Sequence, residues 1–163
     1  MMAEDEHHQY EISPEGVLSV MPPAGYLHAI IATRLTGWLL AAGIPADRIA
    51  QTVGLRIPGK AGGVGGRIPD LVVWSKAQND GVWLPVTDVL LVVEIISPGS
   101  EATDTAAKPI EYADAGIPQY WTIGQDPTQT VTMYRLDGDR YRPAASMPLA
   151  WVLNTSPVEH DLD

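Results

Sequence analysis

The run Val89-Leu90-Leu91-Val92-Val93-Glu94-Ile95-Ile96 constrains this chain more than any other stretch. All but one of its residues are β-branched or leucine, and it lacks the polar alternation of a strand with one wet face. Such a run reads as a strand buried on both faces, which needs a covering layer above and below the sheet. A second β-branched run, Ile68–Trp74, precedes it across the polar connection 75–88. The one exception in the longer run, Glu94, is the informative residue. A carboxylate inside so apolar a strand is costly unless it is paired, protonated or bound to a cation.

The rest of the chain supplies elements to surround these strands. Tyr10–Ile12 and Val17–Met21 flank the turn signal Ser13-Pro14-Glu15-Gly16 and read as a hairpin. Leu27, Ile30, Ile31, Leu35, Trp38 and Leu39 recur at helical spacing before Gly43 and Pro45, which predicts a helix over 24–42. Ile49–Ile57 is rich in strand formers. Residues 58–66 form a glycine-rich loop, and five glycines between 59 and 66 suggest a loop that moves or approaches a ligand closely. Ala102–Ala115 reads as a helix closed by Gly116, with Pro109 either kinking it or delaying its start. Strands follow over Gln119–Ile123, Thr130–Leu136 and Arg140–Pro143, with turns at Asp126-Pro127 and Asp137-Gly138. The expected fold class is α/β or α+β, a mixed sheet with helices packed on it and an N-terminal hairpin. At 163 residues and 45% apolar content, one domain over 10–163 is expected, with 1–9 a disordered, solvated tail.

Composition removes several classes of function. The absence of cysteine excludes disulfides, thiolate metal sites and cysteine nucleophiles. No apolar run is long enough to cross a bilayer as a helix, and the acidic start Met1–Glu6 is not followed by an apolar stretch as in a signal peptide. A soluble cytoplasmic protein with no membrane partner is expected. Twenty Asp and Glu against ten Lys and Arg give a net charge of −10. The basic residues stand singly along the chain, so binding a polyanion would need a local positive site or a metal ion against an unfavourable field.

Two familiar motifs fail on inspection. Gly54-Leu55-Arg56-Ile57-Pro58-Gly59-Lys60-Ala61 has phosphate-loop spacing, but Ala61 stands where a magnesium-binding hydroxyl belongs, and the glycines after it cannot start a helix cheaply. His7, His8 and His160 lie near the chain ends and read as solvated tail residues rather than metal ligands.

The carboxylates are a different matter. Asp70 stands at the head of Leu71–Trp74, and Glu94 near the end of its own strand. If the strands are neighbours, the two can share one divalent ion, with water and a substrate phosphate completing its shell. Lys108, 14 residues after Glu94 on the next helix, can fold back beside the pair. Asp, Glu, Lys and a metal suit phosphodiester hydrolysis, the metal activating a water and the lysine orienting it or stabilising developing charge. A buried Glu94–Lys108 or Asp70–Lys108 ion pair serving structure alone is the competing reading. On pattern alone His28 is a structural histidine of the first helix, and Asp104 a surface partner for Lys108 at i, i+4.

The segment Val93-Glu94-Ile95-Ile96-Ser97-Pro98-Gly99-Ser100, then Asp104, Lys108 and Tyr112, then Ala115-Gly116-Ile117-Pro118-Gln119-Tyr120-Trp121, resembles the signature of the Uma-two family. These are bacterial restriction-endonuclease-like proteins of the PD-(D/E)XK nuclease superfamily. Tyr10-Glu11-Ile12, Met21-Pro22-Pro23, His28, Arg67-Ile68-Pro69-Asp70 and Tyr134-Arg135-Leu136 also fit, so the similarity covers about residues 10–143. The resemblance implies a restriction-endonuclease-like central mixed sheet flanked by helices and a Mg2+ or Mn2+ site. Asp70 and Glu94 would be its acidic ligands, joined by the backbone carbonyl of Ile95. Ile96 occupies the usual lysine position, and Lys108 takes that role from the helix. Asp104 would support Lys108, and His28 would lie near the site. The implied activity is metal-dependent endonucleolytic hydrolysis of DNA. Ser97-Pro98-Gly99-Ser100 departs from the family in Gly99, and residues 101–107 lack the arginines common there, which weakens the DNA-binding case. The alternative is a non-catalytic nuclease-fold protein that binds a protein partner, and the oligomeric state stays open, a homodimer included.

Overall fold

The computed structural model describes residues 9–97 and 106–163. The N-terminal hairpin forms as expected, from β1 (Gln9–Ile12) and β2 (Leu18–Met21), with Ser13 and Gly16 closing the turn. Helix α1 (Tyr26–Ala41) occupies the predicted span to within two residues, and Gly43 just beyond it adopts the left-handed conformation (φ 94°) that favours glycine.

The segment 49–57 is two strands rather than one. β3 (Ile49–Gln51) and β4 (Gly54–Pro58) belong to different sheets, separated at Thr52, whose positive φ of 52° breaks the extended run. The glycine-rich stretch is likewise only partly a loop, since its last residues open β5 (Val64–Arg67), which pairs antiparallel with β4. Several of its glycines lie against backbone and an indole. A Cβ on Gly63 would sit 2.1 Å from the Pro14 carbonyl oxygen, one on Gly65 2.6 Å from that of Ile12, and one on Gly66 2.7 Å from the Trp83 ring. The absence of side chains is what lets β5 lie this close to β1.

β6 (Leu71–Trp74) and β8 (Val89–Ile96) are antiparallel neighbours, and the connection between them contains a short strand, β7 (Trp83–Pro85). After β8 the chain crosses over through helix α2 (Lys108–Asp114) to β9 (Gln119–Gly124), which runs parallel to β8, as a helical crossover requires. Pro109 lies in the first turn of α2, where a missing N–H costs nothing. The expected beginning of this helix at Ala102 falls within 98–105, outside the described residues. β10 (Thr130–Asp137) and β11 (Arg140–Pro148) complete an antiparallel meander. The chain then makes a short helix α3 (Leu149–Val152) and a 3-10 turn over Pro157–His160, the latter with a Ser156/Glu159 capping box.

The result is a mixed α+β fold with two sheets where one was expected. The six-stranded sheet has the order β11-β10-β9-β8-β6-β3, and the five-stranded sheet β2-β1-β5-β4-β7. The hairpin therefore does not extend the central sheet; it helps to build the layer that covers it. Alternation along β6 and β8 sends Leu71, Val73, Leu91, Val93 and Ile95 toward Ile31, Leu35 and Leu39 of α1. It sends Val72, Trp74 and Val92 toward Leu55 and Ile57 of β4 and Tyr112 of α2. Both faces of β8 are covered, as its composition demands, and Glu94 emerges on the side of β4 and α2. Among the described residues no helix is long and apolar enough to cross a membrane.

Candidate active site

The ladder between β6 and β8 brings the two acidic residues together. Leu71 pairs with Val93, Val72 with Val92 and Val73 with Leu91. Continued by one residue, this register sets Asp70 opposite Glu94. Asp70 is fixed from two directions. Its Oδ2 accepts a 2.6 Å hydrogen bond from the N–H of Ile95, and its Oδ1 lies 2.8 Å from Nε2 of His28 in the first turn of α1. The hydrogen bond to Asp70, and then the negative charge of that carboxylate, raise the His28 pKa above its ordinary value against the opposing effect of burial. The N–H of Ile95 is thus engaged with Asp70, on the residue whose carbonyl was expected to serve the metal.

Glu94 sits deeper. It is 3% exposed, accepts a 2.7 Å hydrogen bond from the Tyr112 hydroxyl, and lies 3.4 Å from Nζ of Lys108. Burial pushes its pKa up to about 8. The Lys108 ammonium opposes that rise, and the nearby carboxylates of Asp70 and Glu11 add to it. The Tyr112 phenol is held well above its usual range, mainly by burial and then by the Glu94 charge. Lys108 is 1% exposed and is shared, its Nζ lying 3.3 Å from Oε2 of Glu11.

Glu11 ties this group to the second sheet. Its Oε1 accepts the N–H of Ile68 at 2.7 Å, two residues before Asp70, and its Oε2 is 3.4 Å from Arg67. Arg67 in turn grips Glu111 with two parallel 2.7 Å hydrogen bonds, the bidentate geometry in which a guanidinium binds a carboxylate most strongly. Three carboxylates (Glu11, Glu94 and Glu111) and two cations are thereby interlocked between β1, β5, β8 and α2.

The structure therefore brings together Asp70, Glu94, Lys108 and His28, with Ile95 touching Asp70 through its N–H. Asp104 lies outside the described residues. The sequence reading did not assign Glu11, Arg67, Glu111 or Tyr112 to the site. One signal for two of them was present: Lys108, Glu111 and Tyr112 stand at i, i+3 and i+4, the spacing of one helical face. Glu11 and Arg67 carry no such local signal, because a strand pairing and the contact between two sheets bring them in.

The rejected motifs resolve as structure. The Gly54–Ala61 segment is strand β4 and a turn, followed by another strand instead of a helix, with Lys60 paired to Asp114 at 3.1 Å. His160 is not a solvated tail residue. It bonds to Thr155 Oγ1 at 2.8 Å and packs on Trp38 and Trp121, and burial lowers its pKa.

Among the described residues no three His, Asp or Glu side chains form a ready-made ligating group. Magnesium does not need one, being commonly held by one or two carboxylates with waters and substrate phosphate. The hard, oxygen-only donors of Asp70 and Glu94 fit that ion.

Comparison with known proteins gives the family and the fold. The model of the Uma2 family, described as "Putative restriction endonuclease", matches residues 1–162. The fold is similar to one described as a "putative nuclease belonging to DUF820" from Anabaena variabilis. The two share a TM-score of 0.62 and 18% identity over 82% of this chain and 75% of that one. No match was found among curated proteins. A family match over essentially the whole chain means that this protein belongs to the Uma2 family, the family described as "Putative restriction endonuclease".

Proposed function

We propose that the protein is a metal-dependent endonuclease of the cytoplasm that hydrolyses DNA phosphodiester bonds at the Asp70–Glu94–Lys108 site. The observation that carries this reading is the placement of a buried lysine against Glu94, one ladder step from Asp70. Asp70 and Glu94 would hold Mg2+ or Mn2+, with the Ile95 carbonyl as a further donor. When bound, the cation would neutralise phosphate charge and lower the pKa of a coordinated water. The protein's own groups do the rest. The Ile95 N–H and His28 fix the Asp70 carboxylate, Tyr112 fixes that of Glu94, and Lys108 offers a positive charge where negative charge develops on the phosphate. Burial favours a proton on Glu94, which a bound cation would displace.

The decisive experiment is a plasmid-nicking assay with and without Mg2+ or Mn2+, with Glu94→Gln and Asp70→Asn as controls. Nicking that requires the metal and is lost in both variants is expected. Equal nicking by wild type and variants overturns the assignment.

One observation favours the alternative of a non-catalytic protein that binds a protein partner. The outward face of the hairpin carries Tyr10, Ile12, Leu18 and Val20, all exposed and paired across β1 and β2. If wild type cleaves no nucleic acid with any divalent metal, that reading takes precedence.

A further inference from the structure

Helix α2 has a second flank. Lys108, Glu111 and Tyr112 turn toward the acidic site, whereas Ile110 and Asp114 help to line a cavity of about 520 Å3 on the other side. That volume is typical of a small-ligand pocket. Its lining includes three tyrosines in one stack. Tyr120 is fully buried, with Tyr134 and Tyr141 stacked against it at centroid distances of 5.8 and 5.5 Å and interplanar angles of 28° and 24°. Tyr134 and Tyr141 are only half-buried, so they carry the aromatic surface toward the cavity. The mouth is polar and balanced in charge, with Lys60 bonded to Asp114 at 3.1 Å and exposed Arg140 beside Asp139.

The position of this cavity matters as much as its lining. Thr122 lies in its wall, and the parallel ladder sets Thr122 directly beside Glu94. Adjacent strands are about 4.8 Å apart. A ligand in the cavity is therefore a near neighbour of anything at the acidic site.

We propose that this cavity binds an unpaired nucleobase of the strand whose phosphate reaches Asp70 and Glu94, a proposal that rests on the nuclease reading above. Three features select that ligand class. Stacked aromatic rings favour a flat π system, which every base offers. Rim donors on Lys60 and Arg140 and rim acceptors on Asp114 and Asp139 match the hydrogen-bonding edges of a base. The neutralised rim gives no advantage to a bare phosphate, so the cavity supplies affinity for the base where a chain of −10 repels the backbone. Recognition by stacking also removes the need for a basic patch.

The test uses fluorescence anisotropy of a labelled single-stranded hexadeoxynucleotide, without metal, on the full-length protein and on Tyr134→Leu. Binding by wild type and a loss of roughly 5- to 150-fold in the variant are expected, the range for losing one stacking face. An abasic strand with the same phosphates should bind equally weakly to both proteins. Equal affinity of the abasic and normal strands overturns the proposal, as does equal affinity of wild type and Tyr134→Leu for the normal strand. An RNA hexamer shows whether the sugar is read, and Tyr134-dependent RNA binding supports the base pocket equally. Should Tyr134→Leu fail to fold, adenosine titrated into wild type must shift the ring signals of Tyr134 and Tyr141 in NMR spectra, and unmoved rings refute the pocket. Tyr134-dependent binding without metal-dependent cleavage would sink the nuclease reading and keep the pocket. Metal-dependent cleavage with Tyr134-independent binding would do the reverse.

Discussion

The Tyr112 hydroxyl donates a 2.7 Å hydrogen bond to Oε1 of Glu94 in a layer where the two residues are 0% and 3% exposed. A carboxylate in that position is desolvated by the fold, and its protonation becomes part of the stability of the protein.

The first prediction concerns that coupling in metal-free protein. Burial holds the Glu94 pKa at about 8, above the 4.5 of a free glutamate. The native state therefore binds more protons than the unfolded state between those two values. Stability from this group is fully present below pH 4.5 and is lost as pH rises through about 8. Glu94→Gln mimics the protonated form and should lose less stability over that window. Urea denaturation of both proteins from pH 5 to 8.5 checks this, and parallel stability curves would refute it. Binding of Mg2+ should likewise release a proton near neutral pH, which calorimetry in two buffers detects.

His28 and Asp70 behave with the opposite partner logic. Their 2.8 Å contact raises the His28 pKa, so the folded state favours the imidazolium. The stabilisation is complete below the ordinary histidine pKa and disappears as pH climbs through the raised value. NMR titration of the imidazole should show the elevated midpoint, and Asp70→Asn should bring it down. An unchanged midpoint in that variant would remove Asp70 as the cause.

A third prediction follows from Gly65. A methyl group there would meet backbone atoms, among them the Ile12 carbonyl oxygen at 2.6 Å and the Pro14 nitrogen at 2.7 Å. Neither can swing aside as a side chain would. Gly65→Ala should spread β1 from β5, costing about 1–3 kcal/mol as overpacking commonly does. Because Glu11 precedes Ile12, its bond to the Ile68 N–H should loosen too. Faster hydrogen exchange at Ile68, with a lowered urea midpoint, is the expected result; unchanged exchange there would disconnect the glycine from the site.

How much of this was legible beforehand differs by residue. The two-sided burial of Val89–Ile96 and the oddity of Glu94 within it are local properties, and both led directly to the strand and the candidate acid. The span of α1 followed from the spacing of its apolar stripe. Where the reading failed, the deciding contacts are long-range. Whether 49–57 is one strand or two depends on which sheet each half joins. The glycines of 63–66 look like a mobile loop until Ser13-Pro14 and Trp83 are known to press against them. Glu11 is an ordinary alternating strand residue by sequence, and it joins the site only because the hairpin it belongs to covers the central sheet.

The last prediction tests the lysine, which has two jobs that must be separated. Lys108 is buried between Glu94 at 3.4 Å and Glu11 at 3.3 Å. Lys108→Ala strips a cation from two buried carboxylates, a change that commonly costs about 3–5 kcal/mol. Loss of cleavage in that variant alone would be ambiguous. Pairing Lys108→Met with Glu11→Gln removes one cation and one carboxylate together, so much of the stability should return. Cleavage should stay down by roughly a hundredfold or more, because no oriented positive charge then faces the phosphate. Lys108→Arg should restore less than full activity, since a planar fork cannot take the place of a compact ammonium. A stable double variant that nicks plasmid at the wild-type rate would make Lys108 a structural ion-pair partner of Glu11 and Glu94 and remove it from the chemistry.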